Sequence, residues 1–455
     1  MDIAGRVLLG VTQGFRRSRS LRILKEIQTA PFASRQEILV RQFARLSNLL
    51  TLAEVHVPYC REMLRSLGIK SRDVRTLKDF AFLPVLTKSI IRERLADLVR
   101  EDIPKEKLLF GNSGGSTGVP LRFYRSHSIL DAQEAGTFRN LLQSGWKPGE
   151  MIAFFWGGDD KLDAMSRLEF EVRQILRRQY QFDPFRSGPQ EMDRWLNRWT
   201  RLKPRVAYGY ASTIARFAEH IQAKGVKLDP LLGVFTTAEK LYLPQREVIT
   251  RAFGCSVYDC YGSSEVMNIA SECPKGRMHI NADFVVLEVE KGVPPGEPTP
   301  FIATALWNQV MPFIRYRNED CGELLEESCD CGNQFPLMRL NIARVSDNFI
   351  LPSGRVVHGE FFTHLMYGSE GISTFRFHQT ATDSITLWVV PGPGRATSRQ
   401  EAVRRVVKEV EKLDAGMKVQ VRETDAIPLS QAGKHRFTLS DVRMVKRASV
   451  ASTEK

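Results

Sequence analysis

Residues 113–120 read SGGSTGVP, three glycines, two serines and a threonine in eight positions closed by a proline. Backbone without Cβ lets amide N–H groups converge on an anion, and serine and threonine hydroxyls add donors, so the stretch reads as a phosphate cradle. It is not a Walker loop, because Gly118 is followed by Val119 where Lys and Ser or Thr are required. Nor do Gly114, Gly115 and Gly118 keep the two-then-three spacing of a dinucleotide fingerprint. Taken alone, the stretch reads equally as a flexible surface loop.

The chain on either side of the loop decides its context. Before it, residues 1 to about 105 carry apolar residues at helical spacing, as in SRQEILVRQFARLSNLLTLAEV (34–55), which predicts a helical leader. After it, short apolar runs such as MIAFFWG (151–157), VAYGY (206–210), GVFTTAE (233–239) and CSVYDCYG (255–262) alternate with longer charged stretches. That alternation predicts an α/β sheet domain with flanking helices over 106–345. HINADFVVLEV (279–289) and PFIATALWN (300–308) read as two strands joined by a turn-rich hairpin. From 346 to 455 the texture shifts to a compact α+β unit, a separate small domain whose tail from about 446 is expected to be disordered.

Composition narrows the function classes. The 455 residues are 43% hydrophobic, enough for a large core, and no apolar run approaches the ~18 residues of a membrane span. Asp2 and Arg6 in the first residues do not form a basic secretory leader, so a soluble cytoplasmic protein is expected. The net charge of +13 comes from scattered basic residues, with modest clusters at FRRSRSLRILK (15–25) and VRMVKRASVASTEK (442–455). Neither carries the aromatic interleaving or zinc-finger pattern of a nucleic-acid module, so solvated basic faces are expected and no nucleic-acid partner. Seven cysteines, an odd number spread along the chain, speak for a reducing compartment rather than a disulfide framework.

Three further stretches follow the glycine loop in order: CYGSSE (260–265), MPFIRYRNEDCGEL (311–324) and IPLSQAGKHR (427–436). With SGGSTGVP they resemble the four ordered motifs of the adenylate-forming superfamily, the acyl-CoA ligases and their relatives. Together with VPYCREML (57–64) and LKDFAFLPVLTKSII (77–91), which look like its helical leader, the likeness is greatest to the phenylacetate-CoA ligase-like branch, including capsular-polysaccharide members of the CapK type.

The resemblance implies a large N-terminal domain, a small mobile C-terminal domain, and a reaction in which a carboxylate attacks the α-phosphorus of ATP. The acyl-adenylate then meets a thiol or an amine. Ser113, Gly115, Ser116, Thr117 and Gly118 would cradle the β- and γ-phosphates, with Val119 standing where many members carry Lys. Tyr261 and Gly262 would hold adenine, Ser264 would donate towards the α-phosphate or substrate carboxylate, and Glu265 would ligate Mg2+, which favours carboxylate and phosphate oxygens. Asp320 would accept both ribose hydroxyls, Arg344 would reach the phosphate or ribose, and Asp347 would mark the hinge. Lys434, a compact ammonium on a mobile stem, would bridge the acid's carboxylate and the α-phosphate. FFWGGDD (154–160) and YGYAS (208–212) would line the acyl pocket, whose aromatic content suits an aromatic or compact acid.

CoA is the expected acceptor. An amine or a surface-sugar precursor is the alternative, and a catalytically idle nucleotide-binding protein is a second one, opposed by the presence of Glu265 with Lys434. The resemblance is also compatible with a homodimer. Cys273, His279, Cys329 and Cys331 offer three thiolates and an imidazole, a set that closes a tetrahedral structural Zn2+ site; they read alternatively as reduced thiols beside a surface histidine.

Overall fold

The computed structural model describes residues 3–15, 17–112, 121–157, 167–184, 189–238, 241, 243–292, 299–342, 349–357, 359–366, 369–392, 394–428 and 437–442. These fall into two compact units, one on either side of residues 344 and 345.

The first unit begins with helices, among them Ile3–Phe15, Ser20–Ile27, Arg35–His56 and Pro58–Ser66. Ser34 caps the longest: its hydroxyl accepts from Glu37 N while the Glu37 carboxylate accepts from Ser34 N, a reciprocal box that satisfies two otherwise orphaned amides. Its buried stripe of Ile38, Leu46, Leu49, Leu50 and Ala53 fixes the leader against the sheet domain. A two-stranded hairpin, β1 (Leu109–Asn112) and β2 (Arg122–Arg125), follows, and residues 113–120 join its strands beyond the Asn112↔Arg122 pair.

The main sheet has eleven strands: β3 (Ile152–Phe155), β4 (Gln179–Phe182), β5 (Val206–Tyr210), β6 (Gly233–Thr237), β7 (Val257–Tyr261), β8 (Ala270–Glu272), β9 (Met278–Ile280), β10 (Val285–Val289), β11 (Pro300–Ala305), β12 (Tyr316–Leu325) and β13 (Leu337–Ile342). Their order is β10-β11-β12-β13-β9-β8-β7-β6-β5-β3-β4. From β7 to β4 the neighbours are parallel, with helices such as Pro189–Leu202, Ala211–Ala223 and Leu243–Phe253 between them; from β7 to β10 they are antiparallel. The parallel half buries both faces, as crossover helices require. Phe155, Phe182, Trp195, Trp199 and Phe217 pack on one side, and Ile152, Phe235, Tyr258, Phe138 and Trp146 on the other.

Two expectations change here. Residues 279–289 do not form one strand, because Asn281–Phe284 turn the chain between β9 and β10, with Phe284 N donating to the Asn281 carbonyl. The strand β4 and the β1–β2 hairpin were not legible from apolar runs, since QYQF alternates with glutamines and LFGN and RFYR are four-residue strands interrupted by polar or glycine residues.

The second unit carries a small hairpin, β14 (Phe349–Ile350) and β15 (Val356–Val357), and a four-stranded sheet of β16 (Ile372–Ala381), β17 (Ser384–Pro391), β18 (Lys418–Glu423) and β19 (Thr438–Ser440) in the order β18-β17-β16-β19. The helix Ala396–Glu411 makes the crossover between parallel β17 and β18 and buries Val406 and Val410. Phe349, Phe362, Phe375, Phe377 and Phe437 form an aromatic core.

The seam between the two halves of the main sheet is held by polar groups. Glu272 of β8 accepts from Asp259 N at 2.8 Å and pairs with Arg246 at 2.8 Å, while Thr236 of β6 donates to Asp259 Oδ1 at 2.9 Å. Burial pushes the Asp259 carboxyl up to about 7, with the Thr236 hydrogen bond opposing and the Glu272 charge adding to the rise. A carboxyl whose folded value lies above its unfolded value binds protons more tightly when folded, so its contribution to stability is lost as pH rises from about 4 to about 7. Asp259→Asn keeps an acceptor for Thr236 without the buried charge. It should raise the melting temperature by about 2 °C or more at pH 8 and by less at pH 5; a larger gain at pH 5 than at pH 8 would contradict this account of the seam.

Candidate active site

The strand end at β7 and the inward face of β12 meet. Tyr261 closes β7, Gly262 and Ser263 turn the chain, and Ser263 fixes the turn by accepting from Val266 N at 3.0 Å while its own amide donates to the Val266 carbonyl at 3.0 Å. A Cβ on Gly262 would lie 3.1 Å from Asn268 N, so the approach of the two backbones selects glycine. The turn leaves Ser264 exposed and sends Glu265 inward, where it is 2% exposed.

On β12, Tyr316, Asn318 and Asp320 alternate with Arg315 and Arg317, as strand geometry dictates. All three reach the β7 end. The Tyr316 hydroxyl donates to Glu265 Oε1 at 3.1 Å, Asn318 Nδ2 donates to the Tyr261 hydroxyl at 2.8 Å, and the Tyr261 hydroxyl donates to Asp320 Oδ2 at 2.8 Å. Asn318 also accepts from Asp320 N at 3.2 Å. Tyr316, Asn318, Asp320 and Glu265 are buried, so a low-dielectric surrounding strengthens these bonds and makes each unmade one costly.

The opposite row of β12 ties the site to the leader. Arg315, in the left-handed region at φ 51°, forks onto Glu288 with both N–O distances 3.1 Å and donates to the Leu83 carbonyl. Leu86 N donates to the Arg315 carbonyl and Arg317 N donates to the Leu86 carbonyl, so the PVL segment of the leader forms an added rung beside Tyr316. Gly322 admits no side chain: a Cβ there would lie 2.2 Å from the Arg339 carbonyl and 2.3 Å from the Phe301 ring.

Phe154 and Trp156 of FFW share one face with Tyr208 and Tyr210 of YGY at the ends of β3 and β5, whereas Phe155 turns to the opposite face and its core. Phe154 pairs in register with Tyr208 and their rings stack at 5.6 Å with planes 4° apart; Trp156 and Tyr210 stack at 4.9 Å. Burial raises the Tyr208 phenol well above its ordinary value, keeping it neutral. These rings line the carboxyl ends of parallel strands, where ligands bind open α/β sheets.

The four metal-type ligands also come together. Pairing of Leu337 on β13 with His279 on β9 brings the Cys329–Cys331 loop beside the Cys273 turn. The Sγ atoms of Cys273 and Cys329 are 3.8 Å apart, Cys331 Sγ lies 3.4 Å from His279 Nε2, and all four ligand atoms lie within 4.8 Å of one another. A sulfur separation near 3.8 Å is the edge of a tetrahedron with bonds of about 2.3 Å, and is far beyond a disulfide. His279 Nδ1 lies 2.9 Å from the Phe335 carbonyl, which places its proton there and turns the Nε2 lone pair toward the thiols; burial lowers its basicity, favouring the neutral ligand form. Cys321 is buried apart from this set, Cys60 and Cys260 are buried thiols, and Cys255 is partly exposed.

The structure thus unites Tyr261, Gly262, Glu265 and Asp320, with Ser264 on the turn between them. Ser113, Gly115, Ser116, Thr117, Gly118, Val119, Arg344, Asp347 and Lys434 lie outside the described residues. Tyr316 and Asn318 were missed in the sequence; their signal was their spacing, four and two residues before Asp320 on one strand face.

No family model matches the sequence. Over 395 residues the chain is 21% identical to Protein CapK of Staphylococcus aureus, covering 84% of each. Over 460 residues it is 23% identical to Phenylacetate-coenzyme A ligase of Thermus thermophilus, covering 91% of this chain and 98% of that one. Among solved structures, 2-Hydroxyisobutyryl-CoA Ligase in complex with 2-HIB-AMP and CoA superposes with a TM-score of 0.60 at 20% identity, over 91% of this chain and 92% of the other, a likeness of fold. With four motifs in order along a chain that aligns over most of its length with these proteins, it is similar in sequence to phenylacetate-CoA ligases and to CapK, and its fold is that of an acyl-CoA ligase of the adenylate-forming type.

Proposed function

We propose that this protein activates a small carboxylic acid as its acyl-adenylate at the expense of ATP and passes the acyl group to CoA. The observation that carries the reading is the hydrogen-bonded group Tyr261–Asp320–Asn318 beside the buried pair Glu265–Tyr316. A nucleoside monophosphate needs a flat surface for its base and a carboxylate for its ribose diol, and Tyr261 and Asp320 supply both within one hydrogen bond. The names of the relatives, two of them CoA ligases, support the same reaction class.

In this reading Asp320 takes the ribose hydroxyls, Tyr261 packs on adenine with its ring held by Asn318, and Ser264 on the turn donates to the α-phosphate. Glu265, whose carboxylate is held by the Tyr316 hydroxyl, would hold Mg2+, which would supply charge neutralisation at the phosphates. Ser113, Gly115, Ser116, Thr117 and Gly118 grip the departing pyrophosphate with backbone amides and hydroxyls. Arg344 adds a cation, and Lys434 meets the charge that develops as the carboxylate oxygen bonds to the α-phosphorus. The stacked rings of Phe154, Trp156, Tyr208 and Tyr210 form the acyl wall.

Cys273, His279, Cys329 and Cys331 would hold a structural Zn2+ in the same reading. They provide four ligands and no open position, which suits a site that clamps the β8–β9 turn to the β12–β13 loop rather than one that binds substrate.

Two experiments test these roles. Acid-dependent exchange of pyrophosphate into ATP, run over a panel of carboxylic acids, should appear with at least one acid. In Lys434→Ala it should fall by about 10²-fold or more, while thioester formation from supplied acyl-adenylate and CoA largely survives; no exchange with any acid, or equal loss of both steps, would overturn the assignment. Metal analysis of purified protein should give close to one equivalent of zinc. Cys329→Ser should lose the metal and melt at lower temperature, and zinc below about half an equivalent with no change in that variant would remove the site from the account.

A further inference from the structure

The N-terminal helix Ile3–Phe15 turns one side to solvent that a soluble protein would ordinarily make polar. Val7 is 61% and Val11 51% exposed, one turn apart, with Gly10 and Gly14 beside them. The helix Arg167–Arg177, which follows β3 and packs on β4 at the sheet edge, repeats the pattern: Leu168 is 75%, Val172 47% and Ile175 44% exposed, at positions that recur on one helical face.

The two stripes are neighbours. The Thr12 hydroxyl lies 2.9 Å from the Leu176 carbonyl, and a Cβ on Gly149, at φ 100°, would lie 2.5 Å from Arg6 N, so the helix start is pressed against a position only glycine fills without strain. Arg178 donates to that same Gly149 carbonyl at 2.7 Å. At the other end, Ser18 donates to Asp131 at 2.7 Å and Ser20 to Glu134 at 2.6 Å, which anchors the turn after the helix to helix His127–Leu142.

That anchored turn is basic. Residues 3–25 contain Arg6, Arg16, Arg17, Arg19, Arg22 and Lys25 and no acidic residue. The anchors engage serine hydroxyls and the Arg19 amide, and the side chains of Arg17, Arg19, Arg22 and Lys25 are exposed. Glu169 is the one exposed acid within the apolar stripe of helix 167–177.

We propose that this face docks on an anionic lipid surface, with Val7, Val11, Leu168, Val172 and Ile175 entering the headgroup boundary and the basic turn meeting lipid phosphates. No helix among the described residues is long and apolar enough to cross a membrane, so the contact is interfacial. Shallow insertion of a few aliphatic side chains alone gives weak binding, and adjoining arginines add to it at an anionic surface. The inference does not rest on the adenylation reading.

Sedimentation of the full chain with phosphatidylglycerol-containing vesicles, against pure phosphatidylcholine vesicles, tests it at about 0.1 M salt. Binding to the anionic vesicles is expected to drop about tenfold in the double variant Val172→Glu, Ile175→Glu, and to a similar degree in Arg17→Glu, Arg19→Glu, while pure phosphatidylcholine captures little of any of them. The substituted positions are exposed, so unchanged melting curves separate lost docking from lost folding. The proposal fails if the parent protein ignores anionic vesicles, if both variants bind like the parent, or if the apolar variant instead abolishes a dimer seen by sedimentation velocity in a chain that binds no vesicle.

Discussion

The hydrogen bond from Tyr261 to Asp320 joins two strands, β7 and β12, that are not neighbours in the sheet order. Its partners are all buried or half-buried, so it persists only because Asn318 satisfies the Tyr261 oxygen and accepts from the Asp320 amide in turn. The same strand face then reaches one step further to hold Glu265 through Tyr316. One period-two row of side chains on β12 therefore positions both a carboxylate suited to a ribose and a carboxylate suited to a hard cation.

That row needs a rigid strand behind it. The fork of Arg315 on Glu288 and the rung between Leu86 and Tyr316 tie β12 to β10 and to the helical leader, which gives the leader a role in placing the site. A buried charge pair of this kind is costly to break from one side, because the remaining charge stays without its partner. Gly322 permits β12 to pass between Phe301 and the Arg339 carbonyl without a side chain in the way. The stretch MPFIRYRNEDCGEL thus divides in two: Tyr316, Asn318 and Asp320 face the Tyr261–Glu265 turn, while Arg315 and Gly322 serve the packing.

Much of this was legible in the sequence, for physical reasons that differ by residue. Tyr261, Glu265 and Asp320 were singled out through the likeness of CYGSSE and MPFIRYRNEDCGEL to motifs of the adenylate-forming superfamily, and the fold brings them into one hydrogen-bonded neighbourhood. The α/β class was legible because buried parallel strands are short and wholly apolar. The β4 strand and the β1–β2 hairpin were not, since each strand is only four residues long and carries too few apolar residues to stand out. The break at 281–284 carries the polar turn residues Asn281 and Asp283 between apolar flanks, and reading those flanks as one strand passed over the turn. The zinc-type cluster had the right residue types, but the closing of the gap between His279 and Cys329 depends on the β9–β13 pairing, which no local spacing encodes.

The central claim is that Asp320 and Tyr261 form one nucleotide-binding unit. Equilibrium binding of AMP to the parent protein, to Asp320→Ala and to Tyr261→Ala measures it most directly, and the double variant shows whether the two act together. Each single variant should weaken binding by about tenfold or more, with the double variant losing less than the sum of the two, as coupled partners do. Binding of AMP that is unchanged in Asp320→Ala would contradict the account.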